Sequence, residues 1–350
     1  METQPQRNFE TVAVLAGVGA FLPEQVVSNL DLTRQLDTTD EWITSRVGIH
    51  ERRRAAPGQA TSDLAVAAGA RAISMARLNG AESIDTVIVA TTTPDKLCPA
   101  TAPSVATRLG LEGAAAFDVA AVCTGFVYAL SVGAGLIAAG TSRGVLVIGA
   151  DVYSTIINPQ DRSTAVIFGD GAGAVVLRPG GHHETGALGP AVLGSDGEHR
   201  DLIQIPAGGS SQRSTSHPPT TEDQYFTMAG PTVFRHAVAR MSEVSRQALD
   251  AAGWDVSDVD RFVAHQANAR ILDAVTKKIG LPHERQLSNI ATVGNTGAAS
   301  IPILLAEAVT NRGVAPGDRL LMTAFGGGLT WGAITLRWPD LALHAMNSAA

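Results

Sequence analysis

Two cysteines, three lysines, 5% aromatic residues and 17% charged residues are small shares of a 350-residue chain. Cys98 and Cys123 give neither a disulfide framework nor a metal-type spacing, which fits a reducing cytoplasm and predicts no bound metal. A net charge of −7 and a pI near 5.7 argue against nucleic acid or an anionic membrane as partner. The apolar stretch 12–22 is too short to span a bilayer, and the polar residues before it carry no signal pattern. A cytoplasmic protein is therefore expected.

What is present is core material. The chain is 45% hydrophobic with mean hydropathy +0.12, and its 36 glycines suit closely packed helices and sheet. Such a chain makes one large domain or two. Read in order, residues 1–9 form a loose tail and Thr11–Gly19 a strand. Asp31–Arg46 reads as helical, and Glu51-Arg-Arg-Arg54 as a solvated basic face. An Ala-rich helix follows at Ser62–Leu78, a buried strand at Asp85–Thr92 and a helix at Ala102–Leu109. Gly144–Ala150 is continuously apolar, as in a sheet covered on both sides. Pro206–Phe226 is polar and reads as a surface insertion or lid, Pro231–Ala251 as helix, and Pro339–Ala350 as a ragged tail.

The stretch Phe117-Asp-Val-Ala-Ala-Val-Cys-Thr-Gly-Phe126 places Cys123 where a buried strand turns into a buried helix. Free N–H groups and the helix dipole there favour a thiolate, which predicts a thiol brought from about 8.5 to below about 7.5. Alone, such a cysteine is more often a small hydrophobe. The rest of the chain changes that reading. Ile167-Phe-Gly-Asp-Gly-Ala-Gly173 is echoed by Ala324-Phe-Gly-Gly-Gly-Leu-Thr-Trp-Gly332, and each copy has a turn and a buried helix upstream. This repeat predicts two facing β/α units, with Cys123 and Asn295 at equivalent helix starts and a site between the halves.

His265 follows a buried strand, and Asn295 lies in Gly294-Asn-Thr-Gly297. Singly, they read as a core histidine and a turn former. With Cys123 they make a nucleophile and two neutral groups able to hold a carbonyl oxygen. The backbone of Cys123 and the turn Gly326-Gly-Gly328, with Gly327 at its centre, offer a second oxyanion hole. That equipment suits decarboxylative Claisen condensation.

Six segments in order resemble the β-ketoacyl-acyl-carrier-protein synthase III family of thiolase-fold condensing enzymes. They are Asp40-Glu-Trp-Ile-Thr-Ser-Arg-Val-Gly-Ile49, Ala121-Val-Cys-Thr-Gly-Phe126, Phe168-Gly-Asp-Gly-Ala-Gly173, His265-Gln-Ala-Asn-Ala-Arg-Ile271, Gly294-Asn-Thr-Gly297 and Phe325-Gly-Gly-Gly-Leu-Thr-Trp-Gly332. The resemblance, over about residues 11–338, implies an α/β fold of five αβαβα layers built from two pseudo-repeated halves. These are 11–178 with Cys123, and 179–338 with His265, Asn295 and the insertion 206–226. It implies that Cys123 takes an acyl group from coenzyme A. His265 and Asn295 then assist decarboxylation of malonyl-acyl carrier protein, whose carbanion attacks the acyl-enzyme. No cofactor beyond these substrates and a homodimer are expected.

Trp42 offers a flat face for adenine, and Arg46 and Arg162 could meet phosphates. The resemblance puts them at the coenzyme A entrance, with Gly230 and Phe234 in the same set. Arg270, Lys277 and Lys278 form a basic patch suited to an acidic carrier protein. Cys98 stands where relatives often carry a bulky residue limiting the primer pocket across the dimer, so a roomier pocket is expected. Thiolases use a second cysteine as base and elongating synthases a second histidine; neither has a counterpart here. Plant-type polyketide synthases share Cys, His and Asn but not the Gly326–Trp331 turn or the Asp-Glu-Trp segment. An acyltransferase passing the acyl group to an alcohol or amine, and a non-catalytic scaffold, are the remaining alternatives. Fatty acid initiation and polyketide starter selection both fit these residues.

Overall fold

A computed structural model describes residues 11–78 and 83–341. The tail expected at 1–9, and all but the first three residues of that at 339–350, lie outside them. The chain opens with β1 (Thr11–Phe21), a hairpin of β2 (Gln25–Ser28) and β3 (Glu51–Arg54), and between these α1 (Asn29–Thr33) and α2 (Asp40–Val47). Then come α3 (Thr61–Leu78), β4 (Thr86–Ala90), α4 (Ala102–Arg108), β5 (Ala115–Val119), α5 (Gly125–Ala138), β6 (Val145–Val152) and β7 (Asp170–Gly181). The second half carries β8 (Leu188–Ser195), β9 (Ile203–Gln204), α6 (Ser210–Arg213), β10 (Thr227–Met228), α7 (Gly230–Ala252) and β11 (Arg261–Ala264). It ends with α8 (Ala269–Ile279), α9 (Ile290–Val293), α10 (Ser300–Thr310), β12 (Arg319–Gly326) and β13 (Thr330–Arg337).

The two main sheets share one strand order. The first runs β1-β7-β6-β4-β5, and the second β8-β13-β12-β11. In each, an inner pair is parallel (β4 with β6, β11 with β12) and the next two pairings are antiparallel. The place of β5 in the second sheet is reduced to a parallel bridge between Phe262 and Gln286. All residues of β4 and β6 are buried, as the apolar runs 87–90 and 144–150 predict.

Helix α5 is apolar on every side because it lies between the sheets. Phe126, Val127 and Leu130 share one core with Val147 and Val175 of the first sheet and with Met322 and Ile334 of the second. Leu304 and Leu305 of α10 join the same core. Helix α3 covers the outer face of the first sheet through Leu64, Ala68 and Ala72. Helices α7 and α8 cover the second through Met241, Val244 and Val275. The result is five layers, αβαβα.

Two expectations change. Asp31–Arg46 is not one helix, because two sets of caps compete. Ser28 and Asp31 form a capping box for α1, and the Thr39 hydroxyl accepts the Trp42 N–H to start α2. The basic cluster 51–54 is not simply a solvated face. Arg52 is fully buried in β3 and donates to the Val27 and Val166 carbonyls and to Asn29 Oδ1. Burial pulls its pKa down to about 10. The insertion is polar and largely exposed, leaving and rejoining the body at the β9–β10 pair. Its last residue, Phe226, is buried.

Candidate active site

Between β5 and α5 the chain makes a short turn, Val122–Thr124. Val122 has φ +47, a left-handed conformation that strains a β-branched residue by about 1–3 kcal/mol. The surrounding packing holds it there and sets Cys123 in the wall of a cavity of about 650 Å³. The thiol is not lowered as the helix start alone predicts. Burial and then the charge of Asp151 push it up to about 12, against the smaller opposing effects of the Tyr153 hydroxyl and the backbone. At rest Cys123 is a thiol.

The same backbone recurs before α10. Thr296, Gly297, Ala298 and Ala299 follow the path of Ala121, Val122, Cys123 and Thr124, with Gly297 at φ +58. The counterpart of Cys123 is therefore Ala298, and Asn295 lies three residues earlier rather than at the equivalent position. A side chain on Gly297 would meet Asp151 Oδ2 at 2.3 Å, so only glycine fits. Asn295 is clamped by the repeated glycine motif: its N–H donates to the Ile167 carbonyl (3.0 Å), and its carbonyl accepts the Gly169 N–H (2.9 Å). Its Oδ1 accepts the Gly297 N–H at 2.9 Å, leaving Nδ2 as the free donor end.

His265 follows β11, its N–H bonded to the Thr323 carbonyl. The adjacent Gln266 is fully buried and fixes the turn, accepting from Ser288 Oγ and the Asn289 N–H. His265 Nδ1 lies 2.7 Å from Ser300 Oγ at the start of α10. Burial brings its pKa down to about 3, so the ring is neutral at physiological pH.

Cys123, His265 and Asn295 line the one cavity, with Phe168, Phe226, Met241 and Phe325 among its apolar walls. Arg46, Gly230, Phe234 and Arg270 line it too. Trp42 is half-buried, and both Arg162 (5.2 Å) and Arg46 (5.8 Å) place their guanidinium over its ring. Arg270 stacks on Phe234 (5.8 Å), while Lys277 and Lys278 are exposed farther along α8. A Cβ on Gly326 would come within 2.8 Å of the Cys123 nitrogen, so the glycine turn touches Cys123 through Gly326; Gly327 faces Ile203. Cys98 is exposed and does not line the cavity of its own chain.

Four residues near this site escape the sequence reading. Phe226 sits at the end of a polar segment, and Ser300 inside an apolar helix pattern. Asp151 lies near the end of β6 and Tyr153 just after it, beside a strand that looks purely structural. Asp151 is fully buried, accepts the N–H groups of Thr92 and Ala298, and has its pKa raised to about 7 by burial. A charge in an otherwise apolar strand was the available signal for Asp151.

Layers, cavity and residue set together define an acyl-transferring condensing enzyme of thiolase fold. Residues 117–197 match the family described as 3-oxoacyl-[acyl-carrier-protein (ACP)] synthase III, and residues 249–338 match its C-terminal part. The chain belongs to the β-ketoacyl-[acyl-carrier-protein] synthase III family. It is 58% identical to β-ketoacyl-[acyl-carrier-protein] synthase III 3 of Streptomyces coelicolor over 327 residues, 93% of this chain and 97% of the relative. The crystal structure of 3-oxoacyl-(acyl carrier protein) synthase III from Pseudomonas aeruginosa superposes with a TM-score of 0.88 at 47% identity, covering 95% of this chain and 99% of the other. The priming β-ketosynthase of a polyketide biosynthetic pathway also gives 0.88, at 35% identity over 97% of this chain and 99% of the other.

Proposed function

We propose that the protein condenses an acyl-coenzyme A primer with malonyl-acyl carrier protein, giving β-ketoacyl-acyl carrier protein, coenzyme A and carbon dioxide. The observation that carries this is the meeting of Cys123, His265 and Asn295 in one cavity. In the first half-reaction the Cys123 sulfur attacks the primer thioester. The oxyanion is held by backbone amides of the Cys123 turn and the glycine turn at 326–328. The thiol proton leaves with the departing coenzyme A.

In the second, the malonyl thioester oxygen accepts from His265 Nε2–H and Asn295 Nδ2–H. Both donors are neutral, so they hold an enolate without neutralising it by proton transfer. Loss of carbon dioxide leaves a carbon nucleophile that attacks the acyl-enzyme carbonyl, and Cys123 departs as a thiolate that takes a proton from water. No cofactor enters this scheme.

Trp42, Arg46, Arg162, Gly230 and Phe234 are read as the coenzyme A entrance, and Arg270, Lys277 and Lys278 as the carrier-protein contact. A cytoplasmic homodimer is part of the same reading. In the protomer β5 is a sheet edge, and Leu97 beside Cys98 is 74% exposed, features that a second copy would cover. Among the described residues no helix is long and apolar enough to cross a membrane.

Intact-mass spectrometry with a panel of acyl-coenzyme A thioesters, chased with malonyl-acyl carrier protein, tests the proposal. The expected result is an acyl adduct on Cys123 that discharges with release of carbon dioxide. Discharge only to an alcohol or amine would assign the protein to the acyltransferase alternative, and no adduct would leave a scaffold.

A further inference from the structure

Tyr153 stands beside the nucleophile and has no part in the scheme above. It opens the short helical turn Tyr153–Thr155 that follows β6, two residues after Asp151. The ring is fully buried. It stacks on Phe168 (centroids 4.5 Å apart, 16° between planes) and meets Phe226 edge-on (5.6 Å, 85°). A Cβ on Gly297 would come within 2.4 Å of a ring carbon, so the turn that carries Asn295 closes a third side. Held this way, the phenol oxygen lies 3.9 Å from Cys123 Sγ.

We propose that Tyr153 is a further catalytic residue, its phenol O–H donating to the Cys123 sulfur as that sulfur loses its proton. The proposal rests on the reading of Cys123 as the acylated nucleophile. The charge pattern around the sulfur gives such a donor a purpose. Asp151 lies behind the sulfur with its oxygens taking hydrogen bonds from Thr92, Ala298 and Thr91, and its charge opposes a thiolate. His265, on the same cavity, is neutral, and the cations Arg46 and Arg270 also line that cavity. The buried Thr92 hydroxyl is a further polar neighbour of the phenol and acts to lower its pKa, against the larger upward push of burial. A 3.9 Å contact to a neutral thiol is long, and such contacts shorten when the partner becomes charged. The phenol keeps its proton throughout; the thiol proton leaves with coenzyme A.

Tyr153→Phe keeps the ring and removes only the donor. The measurement is the rate of Cys123 alkylation by iodoacetamide between pH 7 and 10, read by peptide mass mapping so that Cys98 is counted separately, beside acyl loading by intact mass. Alkylation about tenfold slower at each pH, equivalent to about one unit of thiol acidity, and loading slowed in parallel are expected. Wild-type rates in both would overturn the proposal. A wild-type protein that shows the Tyr153-dependent alkylation but never loads an acyl group would sink the condensing reading and leave the Tyr153–Cys123 pair standing. Should Tyr153→Phe not fold, replacing the three tyrosines by 3-fluorotyrosine gives a more acidic phenol. Faster alkylation is then expected, and an unchanged rate overturns the pair.

Discussion

Ser300 Oγ sits 2.7 Å from His265 Nδ1 and also accepts the Gln266 N–H at 3.3 Å. With that lone pair engaged, the serine hydrogen is available to Nδ1, which places the ring proton on Nε2, the nitrogen available to substrate. Ser300 acts through His265 and is a positioning residue. Ser300→Ala is expected to slow malonyl-carrier decarboxylation about 10- to 100-fold, as loss of a tautomer-fixing partner does elsewhere. Acyl loading of Cys123 should be unchanged, and Ser300→Thr should restore most of the rate. Equal losses in both half-reactions would instead mean general damage to the turn.

The neutral imidazole leaves a trace in stability. His265 is depressed to about 3 in the folded protein, whereas the unfolded chain protonates near the ordinary 6.5. Below pH 6.5 the unfolded state therefore binds a proton that the folded state refuses, and stability falls as pH drops towards about 3. Asp151, raised to about 7, acts in the opposite sense: its contribution is lost as pH rises from 3.8 to about 7. The two slopes oppose each other between about pH 4 and 6.5. His265→Gln removes one of them, so its stability relative to wild type should improve by about 1.4 kcal/mol per pH unit below 6.5. Urea unfolding of both proteins at pH 5 and pH 7 reads the difference; no relative change would mean that His265 titrates normally.

Gly326→Ala puts a methyl group 2.8 Å from the Cys123 nitrogen and 3.0 Å from that of Thr124. Overpacking against backbone is expected to cost about 1–3 kcal/mol and to slow acyl loading more than tenfold. Gly135→Ala, on α5 with no atom within 4 Å of the added carbon, is the contrast: neutral, or stabilising by about 0.5–1 kcal/mol. Thermal unfolding and intact-mass loading of the two variants test the pair.

The basic patch divides into two parts. Arg270 lines the cavity, while Lys277 and Lys278 lie two turns farther along α8, about 10 Å away. Lys277→Glu with Lys278→Glu should raise KM for malonyl-acyl carrier protein and spare loading from acyl-coenzyme A. Arg270→Glu should impair both steps, because its stacking on Phe234 is lost as well. Salt titration of the wild-type carrier reaction should show the same sensitivity.

Cys98→Phe is expected to shift the loading preference towards acetyl-coenzyme A. Competition between acetyl and longer or branched primers, read by adduct mass, decides this; an unchanged ratio would count against a role for Cys98 in the primer pocket.

The layers and the reactive trio are legible in the sequence because each leaves a local pattern: unbroken apolar strands, two glycine motifs in echo, and polar residues at strand ends. The alignment of the two helix starts is not. Thr124-Gly125 matches Thr296-Gly297 by letter, yet the backbone pairs Thr124 with Ala299, because the positive φ falls at Val122 and Gly297. Residue identity cannot reveal that a valine occupies a glycine conformation. Thiol acidity is hidden for a related reason: a helix start favours the anion, but the burial that opposes it comes from residues far apart in the chain, such as Phe168 and Tyr153. The same holds for Arg52, whose partners Val27 and Val166 only the folded chain brings together.

The turn at Ala298 has a consequence for counting. The chain carries the nucleophile's backbone twice and the sulfur once, and in the second copy the amide nitrogen is already committed to Asp151. Under the proposed reaction each 350-residue chain has room for one covalent acyl group, and active-site titration should approach one equivalent per chain and stop there. The unused copy has become a strut, joining the wall behind the nucleophile to the turn that presents Asn295.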